Sequence, residues 1–182
     1  MGIIKRTVLV SGVLAACSVA TGAAALQAGA QPKPLESTLK DVRAATARYH
    51  SVAQAEAAGY TGVNEPCVSS PGGTMGIHYI NPPLLRDNAI DPLRPEILLY
   101  VPGNGGDLKL VGVEYWKADA DQDLNTRSDE PTLFGQPFGP PMEGHAPGMP
   151  VHYDLHVWLF ADNPDGMFAP FNPRLTCAPP RG

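Results

Sequence analysis

Histidine and carboxylate side chains are the residues of this chain that are best suited to chemistry. Imidazole and carboxylate ligands together suit Zn, Fe, Cu or Mn, so they predict a divalent transition metal as cofactor. The alternative is a hydrogen-bonded polar network beneath a loop. The candidate metal ligands are His78, His145, His152, Asp154 and His156, with Glu114 as a further carboxylate.

Two kinds of side chain alternate along residues 151–160. The apolar set, which is typical of a strand face on a core, is Val151, Tyr153, Leu155, Val157 and Leu159. The opposite set is His152, Asp154, His156, Trp158 and Phe160. A face with a polar end and an aromatic end predicts the lining of a small-ligand pocket. Glu114, a carboxylate among apolar residues, is a further candidate ligand-binding residue.

Strand geometry limits which of these residues could share one metal ion. Residues i and i+4 of a strand are about 13 Å apart, whereas residues i and i+2 are about 6.6 Å apart. His152 and His156 are therefore not expected to share an ion, and Asp154 with one of them is the workable pair. His78 could approach from a neighbouring strand.

Acid–base catalysis by the same residues is the enzyme alternative, because a histidine oriented by a carboxylate can act as a general base near neutral pH. A nucleophile is harder to assign, since no serine stands in a Gly-x-Ser-x-Gly segment. Phosphate-loop, dinucleotide-binding and haem-attachment motifs are also absent from the sequence. The sequence leaves open whether the protein is an enzyme.

An acidic segment has the spacing of a calcium loop. Acidic or amide side chains stand at positions 1, 3, 5, 7 and 12 of such a loop: Asp119, Asp121, Asp123, Asn125 and Glu130. The turn glycine is replaced by a leucine and a proline follows the loop, so a helix–loop–helix calcium site is not predicted. A weak, non-helical Ca²⁺ loop and a solvated acidic loop remain as hypotheses.

The first thirty residues have the pattern of an export leader. Lys5 and Arg6 precede a largely apolar run from residue 7 to 16. Residues 14–17 (LAAC) match a lipoprotein signal, in which Cys17 is lipidated, whereas residues 28–30 (AGA) suit ordinary signal peptidase. Residues 1–30 are thus predicted to be a leader with spacer, and an uncleaved anchor is the alternative. The protein is expected in the periplasm or outside the cell.

Composition narrows the class of the remaining chain, residues 31–182, which is predicted to be a single globular domain. The chain has 182 residues and a net charge of -5, which does not favour nucleic-acid binding. Contact with a membrane is expected only through the leader or a lipid. With 19 Gly and 20 Pro the fold should be rich in loops.

In an oxidising compartment Cys67 and Cys177 are expected to form a disulfide, two free thiols being the alternative.

Periodicity predicts one N-terminal helix and an antiparallel sheet. Thr38 and Asp41 are a plausible capping pair for the helix, and Gly59 is expected to end it. The predicted strands are 75–80, 96–101, 108–116 and 151–160, with no crossover helix evident between them. The fold class is therefore α+β, one helix packed on a sheet of about four or more strands.

Several blocks of the chain resemble an uncharacterised family of exported bacterial proteins. They are MGIHYINP (75–82), PEILLY (95–100), LVGVEY (110–115), LFGQPF (133–138), GHAPGMPVHYDLHVW (144–158) and NPDGMF (163–168), ending at Cys177. The resemblance covers most of the chain after the leader, and the acidic stretch 119–130 departs from it. It implies export but no activity, because none is established for that family.

These observations lead to three alternative hypotheses about function. The first is a cell-envelope module that binds a small molecule or a metal on the face with His152, Asp154 and His156. The second is a metal-dependent or acid–base enzyme that uses the same residues. The third is a structural envelope protein, in which the aromatic end of that face contacts another copy of the chain in a homo-oligomer. The Pro- and Gly-rich residues 142–150 are either a lid over this face or a rigid connection.

Overall fold

A computed structural model describes Gly2 and residues 34–62 and 65–178. The described residues from 34 onward belong to one compact unit, Lys33–Gly182. The predicted leader, including Cys17 and both cleavage signals, lies outside the described residues.

A five-stranded antiparallel sheet is the main element of the fold. Its strands in chain order are β1 (Cys67–Ser70), β2 (Gly73–Ile80), β3 (Ile97–Pro102), β4 (Leu108–Ala118) and β7 (His152–Val157), and their order across the sheet is β1-β2-β3-β4-β7. Two further strands, β5 (Thr132–Leu133) and β6 (Gln136–Pro137), form a separate two-stranded ribbon. All four strands predicted from periodicity are present, while β1, β5 and β6 were not predicted.

The helices are shorter and more numerous than predicted. They are α1 (Leu35–Thr46), a 3-10 turn (Ala47–His50), α2 (Val52–Ala57), α3 (Pro82–Asp87) and a 3-10 turn (Asn104–Gly106). Helical residues are therefore not confined to one N-terminal helix, since α3 lies between β2 and β3. The mixed, sheet-rich architecture belongs loosely to the α+β class.

The predicted cap of the first helix is wrong, because Thr38 lies inside α1. Its hydroxyl donates to the carbonyl of Pro34 at 3.2 Å, so it occupies the first turn and caps nothing. The extended backbone of Ser51 (φ -90°, ψ 111°) separates the 3-10 turn from α2. Gly59 does end the helical region, with a φ of 96° that an L side chain rarely adopts.

Both faces of the sheet are buried. On one face, strand residues such as Tyr100, Val113 and Leu155 share a hydrophobic cluster with Val42 of α1. Of the predicted core face of the last strand, all residues except Val151 belong to this cluster. The second cluster covers the opposite face and consists of Ile97, Leu99, Val101, Val111, Trp116 and Trp158. Polar groups on that second face are consequently removed from water.

Cys67 and Cys177 lie at disulfide distance, as predicted, with Cα atoms 5.6 Å apart. The bond joins the edge strand β1 to the C-terminal segment over a sequence separation of 110 residues. A loop of that size corresponds to about 4–5 kcal/mol in the chain-entropy account of disulfide stabilisation. No helix in the described part of the chain is both long and apolar enough to cross a membrane.

Glu96, directly before β3, makes folding stability depend on pH. The side chain is 1% exposed and accepts a hydrogen bond from the Trp116 amide at 3.1 Å. Burial raises the pKa of this carboxyl from 4.5 to about 7. Because the pKa is higher in the folded state, the contribution of protonated Glu96 to folding stability is fully present below the unfolded pKa. It is lost as pH rises from about 4.5 through 7.

We therefore predict that Glu96→Gln stabilises the protein at neutral pH but not in acid. The variant should gain up to about 3 kcal/mol in unfolding free energy over the parent at pH 8, and little at pH 4. Urea unfolding at both pH values measures the difference. An equal effect of the substitution at both would show that Glu96 does not titrate in this window.

Candidate metal centre

Glu114 lies in the middle of the site, on the second, loop-covered face of the sheet. It belongs to β4 and is paired in register with His156 of β7, so the two side chains start from neighbouring positions on the same face. His78 of β2 lies on the other side of β3. It pairs with Leu99 of β3, and Glu114 pairs with Ile97, two residues earlier on the same strand. Strand order and register thus direct two imidazoles toward one carboxylate.

The three side chains meet at short distances. His78 Nε2 lies 3.1 Å from Glu114 Oε2, and His156 Nε2 lies 3.6 Å from the same oxygen. One ligand atom from each residue lies within 4.8 Å of the others, which makes this the one such group of three among the described residues. The three atoms are therefore close enough to share a metal ion.

Several atoms of this group are buried without a hydrogen-bond partner among the described residues. They are Glu114 Oε2 and both ring nitrogens of His156. The short contacts between the histidines and Glu114 thus have ligand-like distances but lack hydrogen-bond geometry. Leaving buried polar atoms unpaired is costly, about 1–3 kcal/mol each and more for charged groups. The sheet holds these side chains together at a cost in stability.

Charge couples the members of the group. Burial alone would raise the pKa of Glu114, but His156 and His78 beside it hold that pKa below its ordinary value. Burial alone would lower the pKa of His78, and the adjacent Glu114 carboxylate raises it instead. The carboxylate is therefore kept ionised, which is the form that binds a cation.

Asp154 stands beside this group without belonging to it. Its Oδ1 lies 4.0 Å from His156 Nδ1. Burial raises the pKa of the Asp154 carboxyl to about 6. Gly139 runs close to this side chain, since a Cβ there would lie 3.2 Å from Asp154 Oδ1. Asp154 is thus placed to contact a molecule near the three side chains.

A cavity of about 470 Å³ opens beside the group, and His78, Glu114 and Asp154 line it. Much of its remaining wall is apolar, and Glu65, His145 and His152 add polar atoms. The apolar lining consists of Pro66, Val68, Met75, Ile80, Ile97, Trp116, Met142, Ala146, Met149 and Phe171. The arrangement combines a polar, cation-binding end with an apolar body, as ligand pockets commonly do.

His152 and His145 line the same cavity but lie outside the group of three. The His152 ring is buried and stacks on Trp116 with centroids 5.4 Å apart. The ring of exposed His145 lies 5.3 Å from it. Burial lowers the pKa of His152. His152 and His156 lie four residues apart on β7, and His156 alone of the two belongs to the group of three.

Trp158 is placed behind the group and does not line the cavity. Its indole Nε1 donates to the carbonyl of Ala169 at 2.7 Å, and its ring stacks near His156 at 6.3 Å. Gly112 makes room for it, since a Cβ there would lie 3.4 Å from the indole and 2.7 Å from the Val157 carbonyl. Trp158 therefore supports the His156 ring from behind.

The acidic segment does not gather its carboxylates around one point. Asp119 Oδ1 accepts from the Asp121 amide, Asp121 Oδ1 from the Asp123 amide, and Asp123 Oδ1 from the Asn125 amide, all at 2.9–3.0 Å. Glu130 pairs with Arg127. Successive Asx turns therefore account for the alternate spacing of these side chains. They form no group of three ligand atoms among the described residues.

Sequence reasoning missed part of the cavity wall. Ile80 shares the period-two face of His78, and that signal was available in the sequence. Glu65, Val68 and Phe171 come from β1 and from segments without periodicity, so no local pattern connects them with the site.

Comparison with protein-family models, with curated proteins and with solved structures found no match to this chain. The resemblance inferred from the sequence blocks stays a prediction.

We predict that His78 and Glu114 are energetically coupled in the metal-free protein. His78→Ala alone leaves the Glu114 carboxylate buried with one partner fewer, and breaking a buried pair costs about 3–5 kcal/mol. In a Glu114→Gln background the same substitution should cost less, because the charge is gone. Urea unfolding of both single variants and the double variant, with a chelator present, gives the coupling energy. Additive costs within about 0.5 kcal/mol would contradict it.

Proposed function

We propose that this protein binds a divalent transition-metal ion through His78, Glu114 and His156 and exposes the ion to a small molecule in the adjoining cavity. The observation that carries the proposal is the convergence of His78 Nε2 and His156 Nε2 on the buried Glu114 Oε2, which has no hydrogen-bond partner among the described residues. A cation would satisfy all three at once.

The two distances from the histidine nitrogens to Glu114 Oε2 fit coordination to one ion. Zinc binds imidazole nitrogen and carboxylate oxygen at about 2.0–2.2 Å. Two ligand atoms at such distances are about 3.0–3.4 Å apart for angles between octahedral and tetrahedral. The two contacts to Glu114 Oε2, at 3.1 and 3.6 Å, lie close to that range. The ligand atoms of the two histidines lie within 4.8 Å of each other, so the side chains must move closer together to bind one ion.

The donor set favours a borderline metal over a hard one. Two imidazoles and one carboxylate suit catalytic-type zinc and non-haem iron(II), whereas calcium and magnesium prefer oxygen ligands. Three protein ligands leave at least one coordination position for water or another molecule. The cavity beside His78 and Glu114 supplies the space for that molecule.

We also propose export of the protein into the cell envelope or the medium. The predicted leader and the pairing of Cys67 with Cys177 support this, since disulfides persist in oxidising compartments. A homo-oligomer through the aromatic end of the last strand has less support, because Trp158 is 2% exposed. A metal-binding module of the envelope is the function that the site supports best.

A metal-dependent enzyme is the second candidate, favoured by the position of Asp154. This carboxylate lines the cavity next to His156 and could contact a substrate bound to the ion. A binding module needs no such group, but an enzyme would use it to accept or donate a proton. Both candidates depend on the same open coordination position.

We predict that the full chain, purified without chelators or a histidine tag, binds one equivalent of Zn²⁺. Glu114→Gln should weaken binding by at least about a hundredfold, because it removes the central anionic ligand. Competition with a chromogenic zinc chelator measures the affinity. Glu96→Gln is the matched control, since it neutralises another buried carboxylate, directly before β3, that does not line the cavity. Equal affinities of both variants and the parent would overturn the proposal.

The open coordination position can be tested separately with Co²⁺ in place of Zn²⁺. We expect azide to change the visible absorption of the Co²⁺-loaded chain, because an external ligand would enter the position that faces the cavity. The same titration of Glu114→Gln provides the background. A spectrum that azide leaves unchanged would indicate a closed, structural site and would count against both a ligand-presenting module and an enzyme.

A further inference from the structure

A second set of potential metal ligands lines the same cavity, away from the group around Glu114. It consists of Met142, His145, Met149 and His152, here called the Met/His cluster. None of the four belongs to the three-residue group of His78, Glu114 and His156. Their spacing in the sequence is Met-x-x-His-x-x-x-Met-x-x-His. The proposed divalent site makes no use of them.

Backbone pairing brings the two ends of the cluster together. Met142 and His152 form an antiparallel bridge and exchange both amide hydrogen bonds, at 2.9 and 3.0 Å. Residues paired in this way direct their side chains to the same side, with Cβ atoms about 5 Å apart. The thioether of Met142 therefore starts next to the imidazole of His152.

The segment between them is folded back on itself. The amide of Met149 donates to the Ala146 carbonyl at 3.0 Å. A Cβ at Gly144 would clash with the carbonyl oxygen of Met149, so the chain can turn this tightly only with glycine there. This turn carries His145 and returns Met149 to the cavity wall.

One ring nitrogen of His152 is free to bind a metal. Its Nδ1 lies 3.1 Å from the Pro150 carbonyl, and because a carbonyl only accepts, Nδ1 must be the protonated nitrogen. Nε2 then carries the lone pair, as in most metal-binding histidines, where the second ring nitrogen donates to a protein group. Stacking on Trp116 fixes the ring plane, and the His145 ring lies 5.3 Å away.

We infer that the Met/His cluster is a binding site for Cu(I), distinct from the divalent site at Glu114. Thioether sulfur is a soft ligand that selects Cu(I), while imidazole accepts it as well. All four ligands are neutral, which suits a monovalent ion better than a hard divalent one. The two sites therefore divide by chemistry, with the carboxylate in one and the sulfur atoms in the other.

The test is a Cu(I) titration of the full chain without a histidine tag. Every sample carries Cys17→Ser, and electrophoresis without reductant verifies the Cys67–Cys177 bond, because free thiolates would themselves bind copper. Ascorbate keeps the copper reduced and bicinchoninate competes for it. We expect one Cu(I) per chain and sulfur scatterers in its X-ray absorption spectrum.

Variants separate the two sites. Met142→Leu combined with Met149→Leu should weaken Cu(I) binding by at least about tenfold and leave Zn²⁺ binding unchanged. Glu114→Gln should do the reverse. Met167→Leu is the matched control, because Met167 is 39% exposed and does not line the cavity. Leucine keeps a similar volume, and thermal unfolding checks that the double variant is folded.

Three results would overturn the inference. They are no Cu(I) binding by the parent chain, a bound Cu(I) with nitrogen and oxygen scatterers alone, and equal losses in the double variant and Met167→Leu. The X-ray absorption spectrum of the parent chain tests the inference even if the double variant does not fold. Because Zn²⁺ and Cu(I) are measured on the same samples, failure of one site is distinguishable from failure of the other.

Discussion

The position of the Glu114 carboxylate, buried on a sheet face between two imidazoles, is the constraint on which the site depends. A buried carboxylate is costly unless opposite charge or a cation compensates it. His156 faces it across one strand pair and His78 reaches it across β3. The hydrophobic cluster on this face, which includes Trp116 and Trp158, limits the access of water and strengthens the electrostatic interactions beside it.

Two sets of potential metal ligands lie at the cavity on this face. His78, Glu114 and His156 lie on one face of β2, β4 and β7, with β3 between β2 and β4, whereas the thioethers of Met142 and Met149 come from residues outside the sheet. The rigid strands fix the first set through register. The second set depends on one tight turn at Gly144 and one bridge from Met142 to His152. The Glu114 carboxylate and the two sulfur atoms are thereby kept apart within one pocket.

Local patterns predicted the strands well but not the grouping of the site residues. The alternation of apolar and polar residues along 151–160 was sufficient to predict β7. The short edge strand Cys67–Ser70 has no such alternation, so it was not predicted. The short helix α3 was not predicted, although Asn81 caps it and proline suits its first turn. Joining His78 to Glu114 required the strand order and the register of β3 against β2 and β4, which no local pattern encodes.

The most direct test of the account is to locate a metal in crystals of the full chain grown with Zn²⁺. Anomalous difference maps recorded on both sides of the zinc edge would identify it. The account predicts a peak about 2.0–2.2 Å from one atom each of His78, Glu114 and His156. An empty position between these side chains in zinc-containing crystals, or a peak bound by other residues alone, would contradict it.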